Sequence, residues 1–184
     1  MAVSERVLTR LEKKKADYTT YGFSRVESNA LKTYFDLAQE FDDIQDVYQV
    51  SVGIPKSFFG LEARLYVVDP RRGGLSLVAS TEDGSHALTW ECPGDVDMAQ
   101  RPYCAGESLI LPIRGKKQLV SQLPFRPVGD VIGVLEVYPC DASDAHRVLF
   151  FEKYANRIGF SLHMRFLLQK NVEHVEFVRR LVAD

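Results

Sequence analysis

The chain has 184 residues, a hydrophobic fraction of 46%, a formal net charge of −2 and a pI of about 6.1. That length suits one α+β domain with a proper core and leaves too little chain for two full domains. The composition is that of an ordinary globular protein, which argues against disorder, and the near-neutral charge gives no reason to expect a nucleic-acid or membrane partner.

No apolar run approaches the roughly 18–20 residues that a membrane-spanning helix needs, and the first residues lack the profile of a secretory signal. The three cysteines, Cys92, Cys104 and Cys140, are odd in number and widely spaced. This pattern argues against a disulfide framework and fits reduced thiols. We therefore expect a cytoplasmic protein.

The N-terminal part of the chain has helical patterns. Residues 4–15 predict a first helix, and residues 18–28 predict a polar connection. A second helix is expected from about Asn29, because apolar residues then recur at helical spacing: Leu31, Tyr34, Phe35, Leu37, Ala38 and Phe41. A third is expected from about Ile44, with Gly53 and Pro55 disturbing it.

Strand patterns follow, and they predict five strands, over residues 62–68, 75–80, 107–113, 117–123 and 131–138. The first two strands are joined by a turn signal and are predicted to form a hairpin. Residues 81–105 separate the second and third strands and are rich in turn residues. A long irregular segment inside a compact domain is typical of a lid or a binding loop.

A long helix is predicted after the last strand. The acidic segment ending at Asp144 supplies an N-cap, and apolar residues then recur every three or four positions: Val148, Leu149, Phe151, Tyr154, Ile158, Leu162 and Phe166. This apolar face must be buried against another element. The simplest arrangement is an antiparallel sheet with long helices on one side.

Four segments together resemble GAF domains, the small-molecule-sensing fold of signalling proteins. Residues 63–68 (ARLYVV) resemble the first core strand, 108–113 (SLILPI) and 129–136 (GDVIGVLE) two later strands, and 150–162 (FFEKYANRIGFSL) the closing helix. The resemblance implies an α+β, PAS-like fold with a central antiparallel sheet of five to six strands. It also implies long N- and C-terminal helices on one face and a loop-rich lid on the other.

The same resemblance divides the chain into three parts. Residues 1–28 form an N-terminal helix and connection, residues 29–169 the GAF-like sensory domain, and residues 170–184 the start of a signalling and dimerisation helix. The last of these ends without a capping Gly or Pro, so we expect a fragment of a longer protein.

Strand alternation sorts the last strand's side chains onto two faces. Gly133 lets a helix approach closely, so its face, which also carries Val131, Leu135 and Val137, is expected to meet the helices. The residues between them then point toward the lid.

The lid-facing side chains form a candidate site for a small polar ligand. They come from the first and last strands and from the irregular segment: Arg64, Tyr66, His86, Trp90, Tyr103, Cys104, Glu136 and Tyr138. The alternative is an Arg64–Glu136 pair on a solvated sheet face that binds no ligand.

Other chemistries have little support in the sequence. The four histidines are too dispersed for a metal site, and we expect no cofactor and no catalytic residue in this chain. The Cys-His dipeptide for bilin attachment and the motif of cyclic-nucleotide-binding members of the family are absent, as are a nucleophile elbow and a phosphate loop. A remote alternative is a free methionine sulfoxide reductase, which the resemblance would place on Cys92 and Cys104.

The end of the chain predicts a dimerisation helix. Residues spaced 4, 3, 4, 3 and 4 form an a/d seam: Met164, Leu168, Asn171, Val175, Val178 and Val182. The alternative is a helix laid back on its own domain. His174 lacks the neighbours of a phosphoacceptor histidine, so a kinase, if present, lies downstream of Asp184.

The function that these patterns predict is a cytoplasmic, dimeric sensory input module that relays a ligand signal to an effector. The resemblance implies a sensor histidine kinase of a two-component system as that effector. The competing hypothesis is a ligand-free module of the same fold that serves for dimerisation and spacing.

Overall fold

A computed structural model describes Thr9 and residues 23–69, 74–82, 109–113, 116–125, 130–140 and 144–183. Apart from Thr9, which is helical, these residues form the following elements in chain order: α1 (Phe23–Glu40), α2 (Ile44–Phe59), β1 (Glu62–Asp69), β2 (Gly74–Ser80), β3 (Leu109–Ile113), β4 (Lys116–Phe125), β5 (Asp130–Tyr138) and α3 (Ala145–Ala183).

The described strands form one sheet in the order β2-β1-β5-β4-β3, and every neighbouring pair is antiparallel. The predicted α+β fold with an antiparallel sheet is confirmed. Strands β1 and β5 lie side by side near the middle, and Arg64 of β1 stands opposite Glu136 of β5 and opposite Ser80 of β2.

Helices α2 and α3 pack against one face of this sheet, and α1 packs on these two helices. Leu65, Leu135 and Val137 contribute that face to the main apolar core, together with buried helix residues such as Tyr34 and Phe151. Each fully buried large apolar side chain contributes roughly 1.5–3 kcal/mol. Strand alternation therefore predicted the helix-facing side correctly for Leu135 and Val137. It was wrong for Ile132, which joins this core next to the register shift between Leu123 and Pro124.

One residue of the predicted apolar face of α3 was assigned wrongly. Leu149 is 49% exposed, whereas Phe150 is buried beside Phe151, and the two rings meet edge to face with their centroids 5.0 Å apart. Two adjacent aromatic rings fill the space at the start of α3, so the buried face is wider there than a strict three-and-four spacing indicates.

Helix α2 continues through Pro55 to Phe59, so the predicted disturbance by Gly53 and Pro55 is wrong. Proline cannot donate the N–H that would reach the carbonyl four residues earlier, which belongs to Ser51. The Tyr154 hydroxyl of α3 donates to that carbonyl at 2.8 Å. The missing backbone bond is thus replaced from a neighbouring helix.

Helix α1 begins at Phe23, six residues earlier than the predicted start at Asn29, so residues 23–28 are helical rather than connecting. Glu27 and Ala30 are buried in this first part, which shows that packing outweighs its polar composition. The predicted helix over residues 4–15 lies outside the described residues except for Thr9.

Helix α3 begins after Asp144, whose carboxylate accepts from the Arg147 N–H at 2.9 Å, and this confirms the predicted N-cap. The helix runs for 39 residues to Ala183, or about 58 Å at 1.5 Å per residue. It crosses the predicted domain boundary at residue 169 without a break.

Candidate functional site

Arg64 and Glu136 lie at the centre of the sheet face that points away from the helices. They are 8% and 1% exposed, and a guanidinium nitrogen, Nη1 of Arg64, is 3.5 Å from Oε2 of Glu136. Their opposed positions in the β1–β5 ladder bring the two side chains together. The predicted pair is therefore formed, and it is buried.

Two tyrosines complete this buried cluster. The Tyr66 hydroxyl donates to Oε2 of Glu136 at 3.1 Å, and Cζ of Arg64 lies 5.3 Å from the centroid of the Tyr138 ring. A guanidinium over an aromatic face is attracted by the ring's negative face. These four residues are thus the part of the predicted ligand site that the structure brings together.

Glu82 is a member of the cluster that the sequence analysis missed. Its Oε2 accepts from Nη2 of Arg64 at 2.5 Å, and its own N–H donates to the Ser80 hydroxyl at 3.1 Å. Ser80 stands opposite Arg64 only because the hairpin register shifts between Leu65 and Tyr66, so strand alternation alone does not bring Glu82 next to Arg64. Glu82 is also the most accessible of the three charged members, at 33% side-chain exposure.

The electrostatics of the cluster follow from one guanidinium held against two carboxylates. Burial lowers the pKa of Arg64, but the neighbouring tyrosines, Glu82 and Glu136 outweigh burial and raise it, so Arg64 stays charged. Burial also raises the pKa of Tyr138 well above its usual value, so that this phenol stays neutral. At neutral pH Arg64 is therefore a cation and Tyr138 a neutral phenol.

The distal part of α3 is a second candidate surface. Met164, Leu168 and Val175 are 41%, 60% and 50% exposed, and Asn171 between them is also exposed. The dimer seam and the alternative of a helix laid back on its own domain both stay predictions. Val178 and Val182 lie in the helix, but their side chains are outside the described residues.

Comparison with solved structures identifies the fold of this chain. No protein-family model matches the chain, and no curated protein matches it. A solved structure of a GAF domain is 15% identical and covers 79% of this chain and 94% of its own, with a TM-score of 0.64. The chain has the GAF fold.

Two further GAF-fold structures are similar at the same level. The GAF domain of a putative sensor histidine kinase from Pseudomonas syringae pv. tomato is 14% identical, with a TM-score of 0.57, and covers 90% of this chain and 98% of its own. A free methionine-R-sulfoxide reductase from Neisseria meningitidis, solved with its substrate, is 16% identical, with a TM-score of 0.62, and covers 84% and 96%. The TM-scores indicate a shared fold, and identities this low establish no shared activity.

Several predicted site residues of this GAF-fold chain lie outside the described residues: His86, Trp90, Tyr103 and Cys104, together with Cys92. Their roles stay predictions. Among the described residues, no group of three or more His, Cys, Asp or Glu side chains is arranged to hold a metal ion. The described helices include none that is both long and apolar enough to cross a bilayer.

Proposed function

We propose that this chain is a cytoplasmic sensory input module that binds a small polar ligand and relays the signal through a dimeric α3 to a downstream effector. The proposed effector is a histidine kinase beyond Asp184, and the proposal assigns no catalytic step to this chain. The observation that carries the proposal is the buried polar cluster of Arg64, Tyr66, Glu82, Glu136 and Tyr138.

A buried ion pair is a poor stabiliser. Desolvating Arg64 and Glu136 costs several kcal/mol for each ion, and apolar replacements of similar volume are often as stable or more stable. Both residues sit on adjacent strands of the central sheet, where an apolar pair would pack well. A ligand that hydrogen-bonds to this cluster supplies a reason for placing charges there.

The composition of the cluster indicates the ligand's chemistry. One guanidinium faces two carboxylates, so the formal balance favours a ligand with a positive charge or several hydrogen-bond donors. Glu82 is the natural first contact, because it is the most accessible charged member. A ligand that draws Glu82 away from Arg64 would leave Nη2 of Arg64 open for an acceptor on the same ligand.

The proposed relay from the cluster to α3 depends on the short segment that joins β5 to α3. Glu136 and Tyr138 lie on β5, and α3 begins at Ala145, only seven residues after that strand ends. A ligand shifts α3 only if it binds two arrangements of β5 and α3 with different affinity. The exposed seam of Met164, Leu168 and Val175 then carries the shift, because parallel partner helices move as a unit.

A thermal-shift screen with a matched pair of variants tests the proposal. The library contains amino acids, amines, polyamines, nucleosides and organic acids, and each compound is tested on wild type and on Arg64→Met/Glu136→Leu. We expect the double variant to stay folded, because the two charges are removed together. The control, Lys56→Met/Glu62→Gln, removes a partly exposed ion pair between α2 and β1 that lies outside the cluster.

The expected result is at least one compound that stabilises wild type and the control but leaves the double variant unchanged. At a concentration of 100 times Kd, ligand binding adds about 2.7 kcal/mol, or roughly 5–10 °C for a domain of this size. The ligand-free spacer hypothesis predicts no shift with any compound. A shift of equal size in wild type and the double variant would place the ligand elsewhere.

A further inference from the structure

Arg64 carries a buried hydrogen-bond donor that the described residues do not satisfy. Its Nε–H reaches no acceptor among them, although the side chain is almost fully buried. The other two guanidinium nitrogens are in use, because Nη1 faces Glu136 and Nη2 donates to Glu82. Leaving a buried donor without an acceptor is costly, so an acceptor that a ligand brings to Nε would be bound favourably.

The unsatisfied Nε–H belongs to an edge of the guanidinium that fits a carboxylate. Nε and Nη2 point their N–H groups in the same direction, and two parallel N–H···O bonds to one carboxylate are a strong and specific arrangement of arginine. Glu82 uses half of this edge, since its Oε2 accepts from Nη2 at 2.5 Å while Nε has no acceptor among the described residues. Glu82 thus lies where a bidentate carboxylate would bind, without completing that arrangement.

Glu82 is the charged member of the cluster that a ligand can displace most easily. Its side chain is 33% exposed, whereas those of Arg64 and Glu136 are 9% and 1% exposed. It also lies beyond Ser80, the last residue of β2 in the ladder with β1. A displaced Glu82 carboxylate can turn toward water, so its movement leaves no charge buried without a partner.

We infer that the ligand of this cluster is a free α-amino acid whose carboxylate replaces Glu82 on the Nε–Nη2 edge of Arg64. The ammonium group of the ligand pairs with the displaced Glu82 carboxylate. The Arg64–Glu82 ion pair thereby opens into two ion pairs, one at each charged group of the ligand, and the net charge of the cluster does not change. This inference rests on the proposed function and names the ligand class of the same site.

The charges of the cluster disfavour two simpler ligand classes. A carboxylic acid without an ammonium group adds a third negative charge beside Glu82 and Glu136, and like charges this close repel. An amine without a carboxylate leaves Nε of Arg64 without an acceptor. Because Nη2 of Arg64 and Oε2 of Glu82 start 2.5 Å apart, the two charged groups of the ligand must also lie close together. An α-amino acid meets this condition, since a single carbon joins its ammonium and carboxylate groups.

Isothermal titration calorimetry with matched compounds tests the inference. The standard L-amino acids are each titrated into the wild-type chain. Each one that binds is compared with the amine that lacks its carboxylate and with the acid that lacks its amino group. We expect at least one amino acid to bind with a Kd at least about tenfold lower than that of either analogue. An amine or an acid that binds as tightly as its amino acid overturns the inference.

Glu82→Gln gives a signature that a purely structural role of Glu82 would not produce. The substitution keeps the size of the side chain and removes the charge that competes for Arg64. We expect the acid analogue to bind Glu82→Gln at least about tenfold more tightly than wild type, and the amine analogue to bind it no more tightly. In the control Lys56→Met/Glu62→Gln, whose ion pair lies outside the cluster, the affinities should stay as in wild type. An acid analogue that binds Glu82→Gln and wild type alike, or binds neither, overturns the displacement of Glu82.

The Nε–H signal of Arg64 in ¹⁵N NMR spectra gives a direct readout at the guanidinium, and its loss in Arg64→Lys assigns it. A saturating amino acid should move this signal downfield, because Nε gains an acceptor, and the matched amine should leave it in place. An unmoved signal overturns the inference. If only amines, polyamines or nucleosides stabilise the chain through the cluster, the inference fails and the proposed function stands, whereas no stabilising compound of any class contradicts both.

Discussion

Tyr154→Phe tests how the chain accommodates a proline inside α2. The Tyr154 hydroxyl is buried and donates at 2.8 Å to the Ser51 carbonyl, which Pro55 leaves without its usual backbone partner. Removing the hydroxyl leaves a buried carbonyl unsatisfied, which costs about 1–3 kcal/mol. We therefore expect the free energy of unfolding to fall by about 1–2 kcal/mol.

Urea unfolding of a double-mutant cycle measures this cost. Pro55→Ala restores the N–H that reaches the Ser51 carbonyl, so in that background Tyr154→Phe should cost less than about 0.5 kcal/mol, a coupling near 1 kcal/mol. Tyr48→Phe is the control, since Tyr48 is a buried residue whose hydroxyl makes no hydrogen bond to the described residues. An equal loss for Tyr154→Phe in both backgrounds would refute the explanation of the continuous helix.

Three further predictions concern other contacts. The Arg165 guanidinium donates to the backbone carbonyls of Ala38, Phe41 and Asp42 at the end of α1. Arg165→Gln should lower the free energy of unfolding by about 1.5–3 kcal/mol and speed amide hydrogen exchange in the last turn of α1. Arg165→Lys should have a smaller effect than Arg165→Gln on both. Unchanged exchange rates would show that the guanidinium does not cap α1. Gly60→Ala should lower the free energy of unfolding by about 1 kcal/mol in urea, because φ of Gly60 is 68° and no atom lies within 4 Å of an added Cβ, so that only backbone strain acts. Gly60→Asn should cost less, and equal costs for the two variants would contradict the strain explanation. Burial raises the pKa of Tyr34 and Tyr154, and that of Tyr48 to about 12. The contribution of these neutral phenols to the free energy of unfolding should therefore be fully present below pH 10 and be lost as the pH rises through the raised pKa values. Tyrosinate absorbance should rise in two phases, and a single phase near pH 10 would refute this prediction.

The sequence predicted the elements well where a pattern repeats over many residues. Strands β1, β2 and β5 lie within one residue of their predicted bounds, and α3 has its predicted cap at Asp144. The predictions failed where a distant contact decides. Pro55 argues against a helix locally, and only the hydroxyl of Tyr154, about a hundred residues away in sequence, makes the continuous helix acceptable.

The candidate site was predicted in part for the same reason. Arg64 and Glu136 are found from strand alternation, because a period of two places them on one face whatever the loops do. Glu82 was missed because its position depends on the hairpin register, which shifts between Leu65 and Tyr66. Alternation cannot reveal such an irregularity, nor can it show that the pair is buried.

A ligand bound at the Arg64–Glu136 cluster is expected to change the arrangement of α3. The most direct measurement is the spin-label distance between residues 175 of the two copies, using Val175→Cys in a background without native cysteines, with and without the library compound that stabilises wild type most. We expect the compound to shift this distance distribution and Arg64→Met/Glu136→Leu to abolish the shift. An unchanged distribution at saturating compound would contradict it.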